Sequence, residues 1–157
     1  MPLGVEVVSP EAALLGGEAA ELICRTSEGN LTVMAGHADM VGDVVSGEVR
    51  VVLADGSTER IAVHGGFLQV TTAAGAAEGL VEADGSSTRA TVLAGVAELA
   101  DDIDVPRAQA AREAAEAKLS ELRSARGEDD RALEVAAAEA SLARAELRLA
   151  VASGAAS

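Results

Sequence analysis

Val49-Arg50-Val51-Val52-Leu53-Ala54-Asp55-Gly56-Ser57-Thr58-Glu59-Arg60-Ile61-Ala62-Val63 places two short β-branched runs on either side of a central Asp-Gly. Asp-Gly accepts the positive φ of a tight turn, so the stretch predicts a β-hairpin with strands over 49–53 and 58–63. Downstream, Phe67–Thr71 and Thr88–Leu93 form a second candidate pair, joined by an Ala- and Gly-rich connector from Gly75 to Ser87. Upstream, Val5-Glu6-Val7 alternates and Glu21–Thr26 is strand-like. Glu28-Gly29-Asn30 then supplies turn chemistry before Leu31–Met34. Many short strands with regular turns, and no crossover helices among them, predict an all-β sandwich or flattened barrel rather than a parallel sheet.

The pattern changes near Ala97. Asp104 can N-cap a helix, Pro106 falls in its first turn where a missing N–H costs little, and strong helix formers continue to Arg126. Gly127 is placed to stop that helix, and Asp129 or Asp130 to cap a second. The expected division is a β part over 1–97 and an antiparallel α-helical hairpin over 98–157, with helices at about 105–126 and 129–152. The expected seam uses Ala108, Ala111, Ala115, Leu119 and Leu122 on the first helix. On the second it uses the heptad-spaced Leu133, Ala140 and Leu147, with Ala136 and Ala143 between them. Such a seam buries few methylenes, so the hairpin is expected to be marginal by itself and suited to move.

Composition narrows the function. The 157 residues carry a formal charge of −14, which opposes direct binding to nucleic acid or an anionic membrane surface. Hydrophobic residues make up 49% of the chain but Phe67 is the only aromatic, so the core must be aliphatic; Phe67 itself is expected inside it. Cys24 has no second cysteine to pair with, and the first residues lack the pattern of a secretory leader, so a cytoplasmic location is expected. No apolar run reaches the roughly 20 residues of a membrane span, so no direct membrane insertion is expected.

Catalytic and metal motifs are absent. His37 and His64 lack any metal-ligand spacing, Cys24 has no C-x-x-C partner, and Gly16-Gly17 and Gly65-Gly66 lack the Lys-Ser/Thr of a phosphate loop. Arg144 and Arg148 stand four residues apart on one helical face and can grip a phosphate, or pair with Glu139 or Glu146 as ordinary surface charges. No nucleophile, base and orienting group recur together, so an enzyme is not expected.

The order of the motifs resembles the epsilon subunit of the bacterial F-type ATP synthase over nearly the whole chain. Val7-Val8-Ser9-Pro10-Glu11 is similar to that family's first strand and turn, and Ser27-Glu28-Gly29-Asn30-Leu31 to its polar loop. Gly36-His37-Ala38 and Val63-His64-Gly65-Gly66-Phe67-Leu68-Gln69-Val70 are similar to its Gly-His-Ala and Gly-Gly segments. Thr91-Val92-Leu93-Ala94 precedes the helices as in the family.

The resemblance implies a central-stalk rotor subunit on the cytoplasmic face of the bacterial membrane. Its implied partners are the gamma subunit and c-ring, with the alpha and beta subunits when the helices extend and brake ATP hydrolysis. Glu28, Asn30, Gly36 and His37 fall at the implied partner interface. Ile103-Asp104-Val105-Pro106-Arg107-Ala108 is similar to the family's regulatory ATP motif, and Glu98, Arg144 and Arg148 align with further nucleotide contacts. No cofactor is required for the stalk role. Four departures stand out: Ala35 and Asp39 replace prolines beside Gly-His-Ala, Asn30 replaces an acidic residue, Ala114 replaces an arginine nucleotide contact, and the Gly75 to Ser87 stretch is longer than usual. The alternative reading is a β-sandwich ligand-binding module with a coiled-coil dimerisation tail, which the near absence of stacking rings disfavours.

Overall fold

The computed structural model describes residues 3–72, 88–124 and 131–155. The expected connector from Gly75 to Ser87, the helix stop at Gly127 and the caps at Asp129 or Asp130 lie outside them. Two compact units divide between Ala100 and Asp101.

The first unit contains β1 (Leu3–Val8), β2 (Ala13–Thr26), β3 (Gly29–Met34), β4 (Met40–Val44), β5 (Gly47–Leu53), β6 (Thr58–Val63), β7 (Gly66–Thr72), β8 (Thr88–Ala94) and β9 (Ala97–Leu99). They follow the order β4-β7-β8-β1-β2-β5-β6-β9, and β3 pairs with β2. The long strand β2 makes the sheet double-layered. Its first half pairs with β1, its second half with β3 and β5, and the register shifts between Ala19 and Glu21. Side chains from both halves then meet in one core: Leu3, Val5 and Val7 of β1, Leu22 and Cys24 of β2, Val49 and Val51 of β5, Leu68 and Val70 of β7, and Val92 of β8. This is the aliphatic β-sandwich that the composition requires.

The expected hairpins form as β5–β6 and β7–β8. In the first, Gly56 takes φ +85° and Asp55 accepts from the Ser57 N–H at 2.8 Å and its hydroxyl at 2.6 Å. Those two donors hold the Asp55 carboxyl below the usual carboxylate range. Across the same strands Arg60 donates to Glu48 at 2.5 Å, with the Glu48 side chain only 6% exposed. One pairing in this sandwich is parallel, because β1 runs in the same direction as β8. No crossover helix is needed there, since the rest of the sandwich makes the connection.

Two expectations need correction. Phe67 is 59% exposed rather than in the core, because strand alternation points Leu68 and Val70 inward and turns Phe67 and Gln69 out. The β2–β3 turn is Ser27-Glu28, and Asn30 already belongs to β3, paired with Arg25.

A 3-10 turn (Ala100–Asp102) spans the division, and the second unit contains α1 (Val105–Ser124) and α2 (Ala132–Ser153). Asp104 caps α1, its Oδ1 accepting from the Arg107 N–H at 3.0 Å. Arg131 occupies the N-cap of α2 without a capping hydrogen bond from its side chain, as a donor-only guanidinium requires. Gly154, at φ +73°, closes α2 with N–H bonds to the carbonyls of Ala150 and Val151.

The helices pack antiparallel. Leu119 and Leu122 late in α1 meet Val135, Ala138 and Leu142 early in α2, and Arg123 reaches Glu139 at 3.4 Å. The α1 stripe follows the expected one except at Ala111, which is exposed. The α2 stripe does not. Leu133 is 84% exposed, Ala136, Ala140 and Ala143 face outward, and the seam uses Val135, Ala138 and Leu142 instead. In so alanine-rich a helix two stripes are nearly equal in apolar area, and Val135 with Leu142 gives the one that fits between Leu119 and Leu122.

Candidate functional site

The two loops carrying the candidate interface residues are fixed by side chains far away in sequence. In the β2–β3 turn Thr26 Oγ1 donates to the Gly29 carbonyl at 3.0 Å and accepts from the Glu28 N–H at 3.2 Å. Ser27 donates through both its N–H and its hydroxyl to Asp43, at 3.1 and 3.0 Å. Glu28 and Asn30 are exposed. In the β3–β4 loop Gly36 sits at φ +84°, a conformation that favours glycine. Its N–H donates to Oγ1 of the buried Thr88 at 2.8 Å, and the His37 N–H donates to the Met34 carbonyl at 3.1 Å. His37 Nδ1 lies 2.9 Å from the Ala38 carbonyl oxygen.

Asp39 stands where the resembled family often has proline, and it supplies a restraint of another kind. Its Oδ1 accepts from the Thr72 N–H at 2.8 Å, tying the loop to the end of β7. Sequence reasoning missed Asp39, Asp43 and Thr88 as loop-holding residues. No local signal marks them, because their partners lie 33, 16 and 52 residues away.

The candidate nucleotide residues are distributed over both units. Glu98 lies in β9 opposite Ala62, in the first unit. Within the second unit Ile103 and Ala108 are buried, Asp104 uses one carboxylate oxygen as the helix cap, and Arg107 is exposed. On α2, Arg144 is exposed and donates to Ser141 Oγ at 3.0 Å, while Arg148 is half-buried. Glu139 is engaged by Arg123. A groove bordered by Val105, Gln109 and Arg112 of α1 and by Leu149, Ala150 and Ser153 of α2 joins the start of one helix to the end of the other. Arg107 therefore stands level with the end of α2, and Arg144 lies nearer the middle of the pair. Among the described residues no cluster of His, Cys, Asp and Glu suits a metal ion.

Family models match both parts of the chain. Residues 2–74 match the ATP synthase, Delta/Epsilon chain, beta-sandwich domain, and residues 101–153 match the ATP synthase, Delta/Epsilon chain, long alpha-helix domain. The ATP synthase epsilon chain of Thermobifida fusca is 41% identical over 116 residues, covering 73% of this chain and 74% of that one. This chain belongs to the bacterial ATP synthase epsilon-chain family. The epsilon chain of Streptomyces griseus subsp. griseus is 36% identical over 113 residues, covering 72% of this chain and 79% of the relative.

The epsilon-family fold also recurs at low identity. A chain of the Euglena gracilis mitochondrial ATP synthase, solved as OSCP/F1/c-ring in a rotational state, superposes with TM-score 0.65 at 22% identity, covering 90% of this chain and 76% of that one. A chain of the Tetrahymena thermophila mitochondrial ATP synthase central stalk and c-ring gives TM-score 0.53 at 12% identity, covering 97% of both. No described helix is long and apolar enough to cross a membrane.

Proposed function

We propose that this chain is a non-catalytic rotor subunit of a proton-translocating ATP synthase, held at the cytoplasmic face of the bacterial membrane through its partners. The β unit docks on the gamma subunit and the c-ring, with Glu28, Asn30, Gly36 and His37 at the contact. The helical unit acts as a brake on ATP hydrolysis when it reaches the alpha and beta subunits. The observation that carries this reading is the contrast between the two units. The sandwich has a continuous aliphatic core and hydrogen-bonded loops, whereas α1 and α2 meet over a few alanine, valine and leucine side chains. A rigid dock joined to a thinly packed helical pair is what a partner-driven switch needs, since a few kcal/mol of differential contact changes its population.

Truncation after Ala100 spares β9, which pairs with β6, and so removes the helices without unravelling the sandwich edge. Reconstituted with the truncated chain, the complex is expected to hydrolyse ATP faster while assembly persists. Unchanged hydrolysis would leave the docking role alone.

ATP is the proposed regulatory ligand of the helical unit. Arg107, Arg144 and Arg148 supply charge for the phosphates, Ile103, Asp104 and Ala108 belong to the same motif as Arg107, and Glu98 is a further proposed contact. Ala108 is only 3% exposed and Asp104 is engaged as a cap, so both contribute through backbone and helix-start geometry. Titration of the full chain with ATP is expected to produce heat and to move amide resonances from Glu98 to Ala108. The absence of both would remove the nucleotide role and leave the partner-driven switch.

A further inference from the structure

The β2–β3 turn is braced by a strand it does not pair with in the sheet. β4 pairs with β7, yet Asp43 of β4 accepts from the Ser27 N–H on Oδ2 at 3.1 Å and from the Ser27 hydroxyl on Oδ1 at 3.0 Å. Nearby, the Val45 N–H donates to the Arg25 carbonyl at 3.0 Å. The remaining side-chain hydrogen bonds of the turn, those of Thr26 Oγ1, are local and survive if the turn swings as one piece. Among the described residues, the carboxylate of Asp43 alone grips the tip from outside, and using both oxygens on one residue restricts rotation as well as translation. Glu28, next in the chain, is thereby aimed by a group on a different strand.

We propose that Asp43 is a positioning residue for docking: it fixes the direction in which Glu28 and Asn30 face the c-ring. The inference rests on the reading that these two residues meet the ring. In the free chain an unbraced turn samples several directions, and binding must then select one, which lowers affinity by the fraction of time the turn is correctly aimed.

The test uses the full-length chain and measures its rebinding to synthase complexes from which this subunit has been removed. Asp43→Ala loses both acceptors and is expected to rebind about fivefold to tenfold more weakly, the scale of one or two hydrogen bonds. Asp43→Asn keeps an oxygen for the Ser27 N–H and offers its amide to the hydroxyl, so it is expected to stay within about twofold of the parent. Amide resonances of Ser27 and Glu28 should move in Asp43→Ala while those of Leu22 and Val51 stay in place. If Asp43→Ala disturbs the core amides, Ser27→Ala decides: weaker rebinding with an unmoved core supports the proposal, and parental rebinding overturns it. Asp43→Asn behaving like Asp43→Ala would assign the effect to charge and overturn positioning. Parental rebinding by Asp43→Ala when Glu28→Ala rebinds weakly would overturn positioning alone. Parental rebinding by a Glu28→Ala, Asn30→Ala double variant would instead overturn the docking reading, and the proposal with it.

Discussion

At Gly66 an added Cβ would lie 2.2 Å from the Leu93 carbonyl oxygen and 2.9 Å from Ala94 Cα, both backbone atoms that cannot swing aside. Gly66→Ala must therefore push β7 from β8 where Gly66 and Ala94 are paired. We expect a loss of about 2–4 kcal/mol, read as a lower urea midpoint with an unchanged slope. Cys24 is governed by burial instead. Removal from water, reinforced by the carboxylate of Asp43, pushes its thiol up to about 11. The folded state thus holds this proton more tightly than the unfolded chain does. Stability from the neutral thiol is complete below the unfolded value, about 8.5, and is lost as pH rises through 11. The stability difference between the parent and Cys24→Ala should shrink over that interval, and a thiol reagent at pH 8 should modify Cys24 far faster in urea than in buffer. Phe67 shows how much was readable at this scale. The alternation that turns it outward is in the sequence, and it outweighs the apolar character of the ring. Asp39 and Asp43 carry no such signal, since a carboxylate's distant partner is settled only by the fold.

Among the elements, the β5–β6 hairpin was legible because Asp55-Gly56 and the β-branched runs beside it specify turn and register together. The strand β4 was not, as Met-Val-Gly-Asp-Val alternates weakly and forms only by pairing with β7. In α1 the cap at Asp104 and the Leu119–Leu122 stripe were likewise readable. In α2 the heptad spacing pointed to Leu133 and Ala140, which are exposed, because alanine on every face leaves the choice of stripe to packing against α1. Substitution tests that choice directly. Leu119→Ala, at the buried seam, is expected to destabilise the helical pair by roughly 2–4 kcal/mol. Leu133→Ala, at an 84% exposed position, should stay within about 0.5 kcal/mol by the same helical circular-dichroism melt.

For the whole molecule, the two units differ in how much apolar surface each encloses, so heating is expected to melt them separately. The helical signal should fade first and the sandwich later, giving two calorimetric transitions rather than one; a single sharp transition would mean that the units unfold as one body. The parallel pairing of β1 with β8 bears on a stage before any of this. On one side Leu3 pairs with Ala19, but on the other its neighbour is Thr88, so one edge of β1 waits for nearly the last strand of the sandwich. On the ribosome the sandwich cannot close until β8 has left the exit tunnel. Until then a Val-rich strand edge stands open in the nascent chain, where holdase chaperones bind.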